Sequence, residues 1–365
     1  MAKKRTTQSK PSRSKRLGGE WELVRLANEF ARAAEVADDG VGSSAEGPAR
    51  AAELAAELRA IDELVNQNEG PLPDEAIRGM LREFYSGLRA VRRSTRVAYL
   101  GPEHTYSHLA AVAYFGQSVE WVPVASIAAV FEEVEAGNSD YGVVPVENST
   151  DGRVADALHC LAHRRVQICG EAPLRIRHCL LGSGGRSDVR RVCSKPQALS
   201  QCRNWLSKHL PSAELVETAS TSAAAAAARS DPRTAAIASE EAATPHQLKV
   251  LAKHIEDNPD NVTRFAVIGQ DAAARTGRDK TAVVFETAHE PGALADAMGI
   301  FKRQQLNLTW IESFPSPEQR GRYLFFVEFE GHASDLKVRR ALASLQKRAT
   351  RLTILGSYAQ AEPIG

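Results

Sequence analysis

Three stretches near the start of the chain place apolar residues at helical spacing. Trp21, Val24, Ala27, Phe30 and Ala34 share one face of 20–37. Residues 49–66 are rich in Ala, Leu, Glu and Arg, all strong helix formers. Ile77, Met80, Leu81, Phe84 and Leu88 form one stripe in 75–92. The Gly/Ser-rich run 40–48 reads as a loop. The EGPLPD run at 69–74 breaks the chain again, with Asp74 placed to cap the third helix. Three helices without a strand predict a small all-α module.

From Arg96 the pattern changes. Apolar runs at 97–100, 121–124 and 141–146 alternate with helical stretches, one ending at Ala113 and one at 127–136. This alternation predicts a parallel sheet layered with helices. A second α/β stretch starts near 172, with helices at 196–209 and 221–229. The alanine run 223–228 belongs to the latter, because alanine is the best helix former. A strand at 264–268 and a polar linker, TGRDK at 276–280, come next. The remainder reads strand 281–286, helix 292–303, strand 306–314, strand 322–330, helix 334–347 and strand 351–356. That βαββαβ order predicts a ferredoxin-like sandwich.

Composition narrows the function class. A chain of 365 residues with 43% hydrophobic and 25% charged residues is long enough for several ordinary globular domains. The net charge of +1 gives no global attraction to nucleic acid or an acidic membrane. No apolar run approaches the roughly 18 residues of a spanning helix, and no apolar signal segment opens the chain. The five cysteines show no CxxC spacing, which fits reduced thiols and a cytoplasmic protein. The basic stretch 1–19 reads as a solvated, disordered tail.

Ligands of open α/β sheets bind beyond the carboxyl ends of the strands. Three such ends are polar here: Gly101, Glu103, Thr105 and Ser107; Glu147, Asn148, Ser149 and Thr150; and Ser194, Lys195 and Gln197. Each sets hydroxyls or amides beside the N–H groups of a helix start, a cradle for an anion. One alone would read as helix capping; three in one α/β unit point to a cleft for a small acid. His159 and His163, four apart beside Cys160, lack a third metal ligand. The GSGG run at 182–185 lacks the Lys-Ser/Thr ending of a phosphate loop. Neither a metal nor a cofactor is expected.

Four separated motifs carry a family resemblance: GPEHTYS at 101–107, GVVPVENSTDGRV at 142–154, SKPQALSQC at 194–202 and IEDNPDNVTRF at 255–265. In order and spacing they resemble prephenate dehydratase over about 95–270. PGAL at 291–294 and IESFP at 311–315 resemble the regulatory ACT domain fused to that enzyme. NEGPLPDE at 68–75 looks like the junction after a chorismate mutase helical module. The whole chain is therefore similar to the bifunctional chorismate mutase–prephenate dehydratase family. The resemblance implies a mutase-like module over 20–93 and a two-lobed, periplasmic-binding-protein-like dehydratase domain over 95–270. Its lobes would be 95–171 plus 250–270, and 172–249. An ACT domain would span 280–360.

The resemblance makes Thr263 the catalytic threonine, with Glu147, Asn148, Ser194 and Gln201 beside it. Thr105, Ser107, Ser149, Lys195, Arg264 and Phe265 would contact prephenate. Gly292, Ala293, Leu294, Glu312 and Ser313 would hold phenylalanine as effector in a homodimer or larger assembly. His104 stands where a Gly is common, Lys195 where a His is common, and Phe314 where the effector segment usually has Arg.

The rearrangement of chorismate needs cations around two carboxylates and an ether oxygen. Aligned to the mutase pattern, Phe30 takes the first Arg position, and no Lys lies between Arg16 and Lys195. Gly47 and Ala51 replace the acids around Arg50, and Arg92 takes the amide position on the third helix. Only Arg50 fits, as a mutase remnant, so the module is expected to lack mutase activity. The alternatives left open are a fully bifunctional enzyme, an arogenate dehydratase and a non-catalytic amino-acid sensor.

Overall fold

The computed structural model describes residues 13–38, 48–316 and 322–364, with side chains described from 20–33 and from 52 onward in the helical part. Most of the basic tail, residues 1–12, lies outside the described residues, as do the 39–47 loop with Gly47 and the side chains of Arg50 and Ala51. Three helices come first: α1 (Arg13–Asp38), α2 (Pro48–Asn66) and α3 (Asp74–Arg92). The α3 stripe packs inward at Leu88. Burial pushes the Glu57 carboxyl up to about 7 against the pull of Arg89 beside it. α3 also docks on the next domain. Arg89 bonds the Phe115 carbonyl, and Ser86 Oγ accepts the Ser118 N–H at 3.0 Å. Gly116, at φ +74°, is needed at this contact, because a Cβ there would stand 2.5 Å from that of Ser86.

The first lobe contains β1 (Arg96–Leu100), α4 (Tyr106–Phe115), β2 (Glu120–Val124), α5 (Ile127–Glu135), β3 (Tyr141–Asn148), the short β4 (Gly152–Arg153), α6 (Ala155–His163) and β5 (Gln167–Arg175). The second contains β6 (Cys179–Gly182), β7 (Arg191–Ser194), α7 (Pro196–Gln201), α8 (Arg203–His209), β8 (Glu214–Glu217), α9 (Thr221–Ser230), β9 (Thr234–Ala238) and β10 (Lys249–Ala252). The chain then returns to the first lobe as β11 (Val262–Gly269). The sheet orders are β2-β1-β3-β11-β5 and β10-β6-β9-β7-β8. Two segments, 176–178 and 253–261, cross between the lobes.

Two expectations are corrected here. The first sheet is not all parallel: β11 runs antiparallel to both β3 and β5, because it re-enters from the far lobe. The single helix expected over 196–209 is two. The Asp257 carboxylate accepts the N–H groups of Asn204 and Trp205 at 2.9 and 3.2 Å and so starts α8 afresh after Cys202.

The C-terminal unit contains β12 (Asp279–Thr287), α10 (Ala293–Gln304), β13 (Leu308–Pro315), β14 (Tyr323–Glu330), α11 (Leu336–Gln346) and β15 (Ala349–Ala359). Its antiparallel sheet, ordered β13-β14-β12-β15, has the expected βαββαβ topology. The linker reading fails at its end. Asp279 and Lys280 are buried strand residues, with Asp279 closing a turn onto the N–H groups of Thr276 and Gly277. No described helix is long and apolar enough to cross a membrane.

The seam between this unit and the first lobe is a buried ion cluster. Arg264 bonds Glu147 at 2.9 Å, Glu171 at 3.2 Å and Glu328 at 2.7 Å. Lys280 bonds Glu171 at 2.8 Å, Tyr358 bonds Glu328, and Trp310 lies under the guanidinium. Burial works against the Arg264 charge, but Glu328 and Glu171 outweigh it and hold its pKa above the ordinary arginine value. Without Arg264, three carboxylates would face one ammonium. Arg264→Met is therefore expected to lower stability by about 3–5 kcal/mol. An unchanged urea midpoint would show that the cluster contributes nothing.

Candidate active site

The antiparallel pairing of β3 with β11 sets Thr263 opposite Asn148 and Arg264 opposite Glu147. Successive strand residues face opposite sides of a sheet. One pair therefore faces the cleft between the lobes and the other faces the ion cluster behind it.

On the cleft side the polar groups form one connected chain. Asn148 Nδ2 donates to Thr263 Oγ1 at 2.7 Å and to Asn261 Oδ1 at 3.0 Å. Its amide cannot turn over, because Asn148 Oδ1 accepts the backbone N–H groups of Thr150 and Asp151 at 2.9 and 3.0 Å. Asn261 Nδ2 donates to Gln201 Oε1 at 3.1 Å. Gln201 ends α7 in the second lobe, and its Nε2 donates across the cleft to Asp151 Oδ2 at 2.9 Å. Beyond it, His178 Nε2 stands 2.9 Å from Gln201 Oε1, and His178 Nδ1 stands 2.9 Å from the Tyr106 hydroxyl. Burial lowers the His178 pKa and lifts that of Tyr106 well above the usual tyrosine range.

Thr263 accepts one of these bonds, and its own proton has no acceptor among the described residues. Ser149 lies beside it and accepts the Val262 N–H at 3.0 Å. The other expected residues are placed differently. Thr105 caps α4 and donates to the carbonyls of Pro102 and Leu100, and Ser107 is buried in that helix. Ser194 is wholly buried and donates to the Ile237 carbonyl at 2.7 Å, so its hydroxyl ties two strands together. Lys195, at the α7 N-cap, is half-buried and unpaired among the described residues. Phe265 is buried in the first-lobe core. Glu147 and Arg264, expected at the substrate, sit on the reverse face with their charges paired to each other. His104 adopts φ +64°, a left-handed backbone that explains why glycine suits the position.

The C-terminal residues expected to hold an effector are not gathered at this cleft. Gly292, at φ +86°, starts α10 with Ala293, and Leu294 packs on the C-terminal core. Arg153 donates to Glu312 Oε2 at 2.9 Å and to the Ser313 carbonyl at 3.2 Å. Phe314 and Trp310 pack on the core that the first lobe and the C-terminal sheet share. Sequence reasoning overlooked Asn261, Tyr106 and Asp151, although all three lie inside the quoted motifs. It also overlooked His178, a lone histidine at a crossing with no motif around it.

Comparison with known proteins places the chain in a family. Residues 97–273 match the prephenate dehydratase family model. The chain is 40% identical over 345 residues to a bifunctional chorismate mutase/prephenate dehydratase of Aquifex aeolicus, covering 93% of this chain and 94% of the relative. It is 41% identical to the protein of that name from Pseudomonas aeruginosa, over 82% of each. A crystal structure of prephenate dehydratase from Arthrobacter aurescens in complex with L-Phe superposes with TM-score 0.69 at 35% identity, over 73% of this chain and 90% of that one. The cleft is thus that of a prephenate dehydratase. The chain belongs to the bifunctional chorismate mutase/prephenate dehydratase family.

Proposed function

We propose that the cleft converts prephenate to phenylpyruvate, with Thr263 as the hydrogen-bond donor to the departing hydroxyl. The observation that carries this reading is the polarity of the chain ending at Thr263. Asn148 supplies a donor to Thr263 Oγ1, which leaves the threonine proton to point into the cleft. In the reaction the ring carboxylate leaves as carbon dioxide, its bond electrons complete the aromatic ring, and the para hydroxyl departs as hydroxide. Aromatisation drives both cleavages, so the site needs to hold two carboxylates and stabilise the departing oxygen. A neutral hydroxyl fixed by an amide suits the last task, and Lys195 supplies a cation for a carboxylate.

We assign the C-terminal unit as an ACT regulatory domain answering to phenylalanine. The support is its topology, the L-Phe named for the Arthrobacter structure, and the contact of Arg153 with Glu312 and Ser313. Arg153 closes the β3–β4 hairpin that carries Asn148 and Asp151, so the effector segment touches the active-site loop directly. Exposed Trp21, Leu23 and Leu26 on α1 favour assembly of at least a dimer. The N-terminal module acts in packing rather than in chorismate rearrangement. Phe30 stacks edge-on against Phe84, Arg92 is paired with Glu53, Arg25 with Glu22 and Glu29, and Arg59 with the Arg275 carbonyl.

Thr263→Ala is expected to lower prephenate turnover about 10²-fold or more with the fold intact; near-normal turnover would remove Thr263 from the mechanism. Phenylalanine should shift the saturation curve of the full-length protein, and Arg153→Ala should shrink that shift about fivefold. An undiminished shift would separate the hairpin from regulation. Chorismate should persist when incubated with the purified protein, and robust loss that Arg50→Ala abolishes would restore a working mutase site.

A further inference from the structure

We propose that His178 is a positioning residue of this site: with its proton on Nε2, it fixes the Gln201 amide and, through Asn261 and Asn148, the hydroxyl of Thr263. This rests on reading the cleft as the site of dehydration.

The proton's place follows from the hydrogen bonds. Gln201 Nε2 donates to the Asp151 carboxylate, and an ionised carboxylate only accepts. The opposite atom, Gln201 Oε1, is therefore the acceptor for both remaining neighbours. Asn261 Nδ2 fills one of its lone pairs, and His178 Nε2 must bring a hydrogen to the other. His178 Nδ1 is then the bare nitrogen; it faces the Tyr106 hydroxyl at 2.9 Å, whose one proton it shares with the Arg177 carbonyl at 2.8 Å. Burial, which disfavours a second proton on the ring, agrees with this assignment.

The ring is held as firmly as the groups it holds. His178 is 1% exposed. Its N–H donates to Glu256 Oε2 at 2.8 Å, and its carbonyl accepts the Ile255 N–H at 3.0 Å, so it joins the two segments that cross between the lobes. Tyr106, from the first lobe, braces one side of the ring, and Gln201, from the second, bonds the other. Asp151 fixes the amides at both ends of the chain, through its backbone N–H to Asn148 and its carboxylate to Gln201. His178 supplies the bond that Asp151 does not, on the far side of the Gln201 amide. It contacts neither Thr263 nor the open cleft.

Three measurements test this. His178→Ala is expected to lower kcat on prephenate about 10- to 100-fold with KM within roughly threefold. His178→Gln, whose amide N–H can replace the Nε2 donor, should recover kcat to within about fivefold of the natural protein. In a Gln201→Ala background, His178→Ala should lower kcat by no more than about twofold further, because residues acting through one another are not additive. Fully additive losses would overturn the proposal. Independently of activity, ¹⁵N NMR of the natural protein at neutral pH should show His178 protonated on Nε2 and bare on Nδ1, with the resonance moving in Gln201→Ala. Protonation on Nδ1 would overturn the proposal even if His178→Ala failed to fold. Failure of the natural protein to consume prephenate would instead overturn the dehydration reading, with the NMR result still deciding the geometry of His178.

Discussion

The antiparallel register of β3 against β11 is the constraint on which the rest of the structure depends. Because strand side chains alternate, pairing Thr263 with Asn148 also pairs Arg264 with Glu147 on the other face. Neutral hydroxyls and amides therefore face the cleft, while charges face the C-terminal sheet. A slip of one residue would exchange these faces and bring an arginine and a carboxylate to the substrate. The ion cluster with Glu171, Lys280 and Glu328 opposes such a slip, because it satisfies the buried charges only in the observed register.

The cleft groups are ordered by an equally strict rule. The two end amides of the chain, Asn148 and Gln201, have their orientation settled by groups that can act in only one sense, backbone N–H groups and a carboxylate, and Asn261 is oriented between them. The site thus meets its substrate with its dipoles already aligned, and little reorganisation is left for the reaction. The same chain spans the lobes, since Gln201 belongs to the second and Asn148, Asp151 and Thr263 to the first. The aligned state therefore exists only when the lobes are together.

Much of this was legible in the residues. Helical stripes marked the N-terminal helices, and the C-terminal βαββαβ order could be read from alternating strands and helices. Thr263, Asn148 and Gln201, singled out by the motifs around them, come together in one hydrogen-bonded chain. What escaped depended on partners distant in sequence. Nothing local marks β11 as antiparallel, because its direction follows from the return through 253–261. Lys280 looked like linker because its polar neighbours fit a loop, yet Glu171, far upstream, is what buries it. Arg264 shares a motif with Thr263, and contiguity suggested a shared task that strand alternation denies. Ser194 read as a site hydroxyl, whereas a carbonyl on a neighbouring strand occupies it.

The ion cluster alters what counts as a separable part of this chain. By sequence, the C-terminal unit begins near 279, and a cut there appears to divide two modules. By electrostatics the border lies elsewhere. Arg264, Glu147 and Glu171 on one side and Lys280, Glu328 and Tyr358 on the other form a single ion cluster, with Trp310 under the guanidinium. A graft that exchanged C-terminal units at the chain boundary would place two carboxylates and an arginine against a foreign sheet. The unit that can be transplanted intact is the seam with both of its walls.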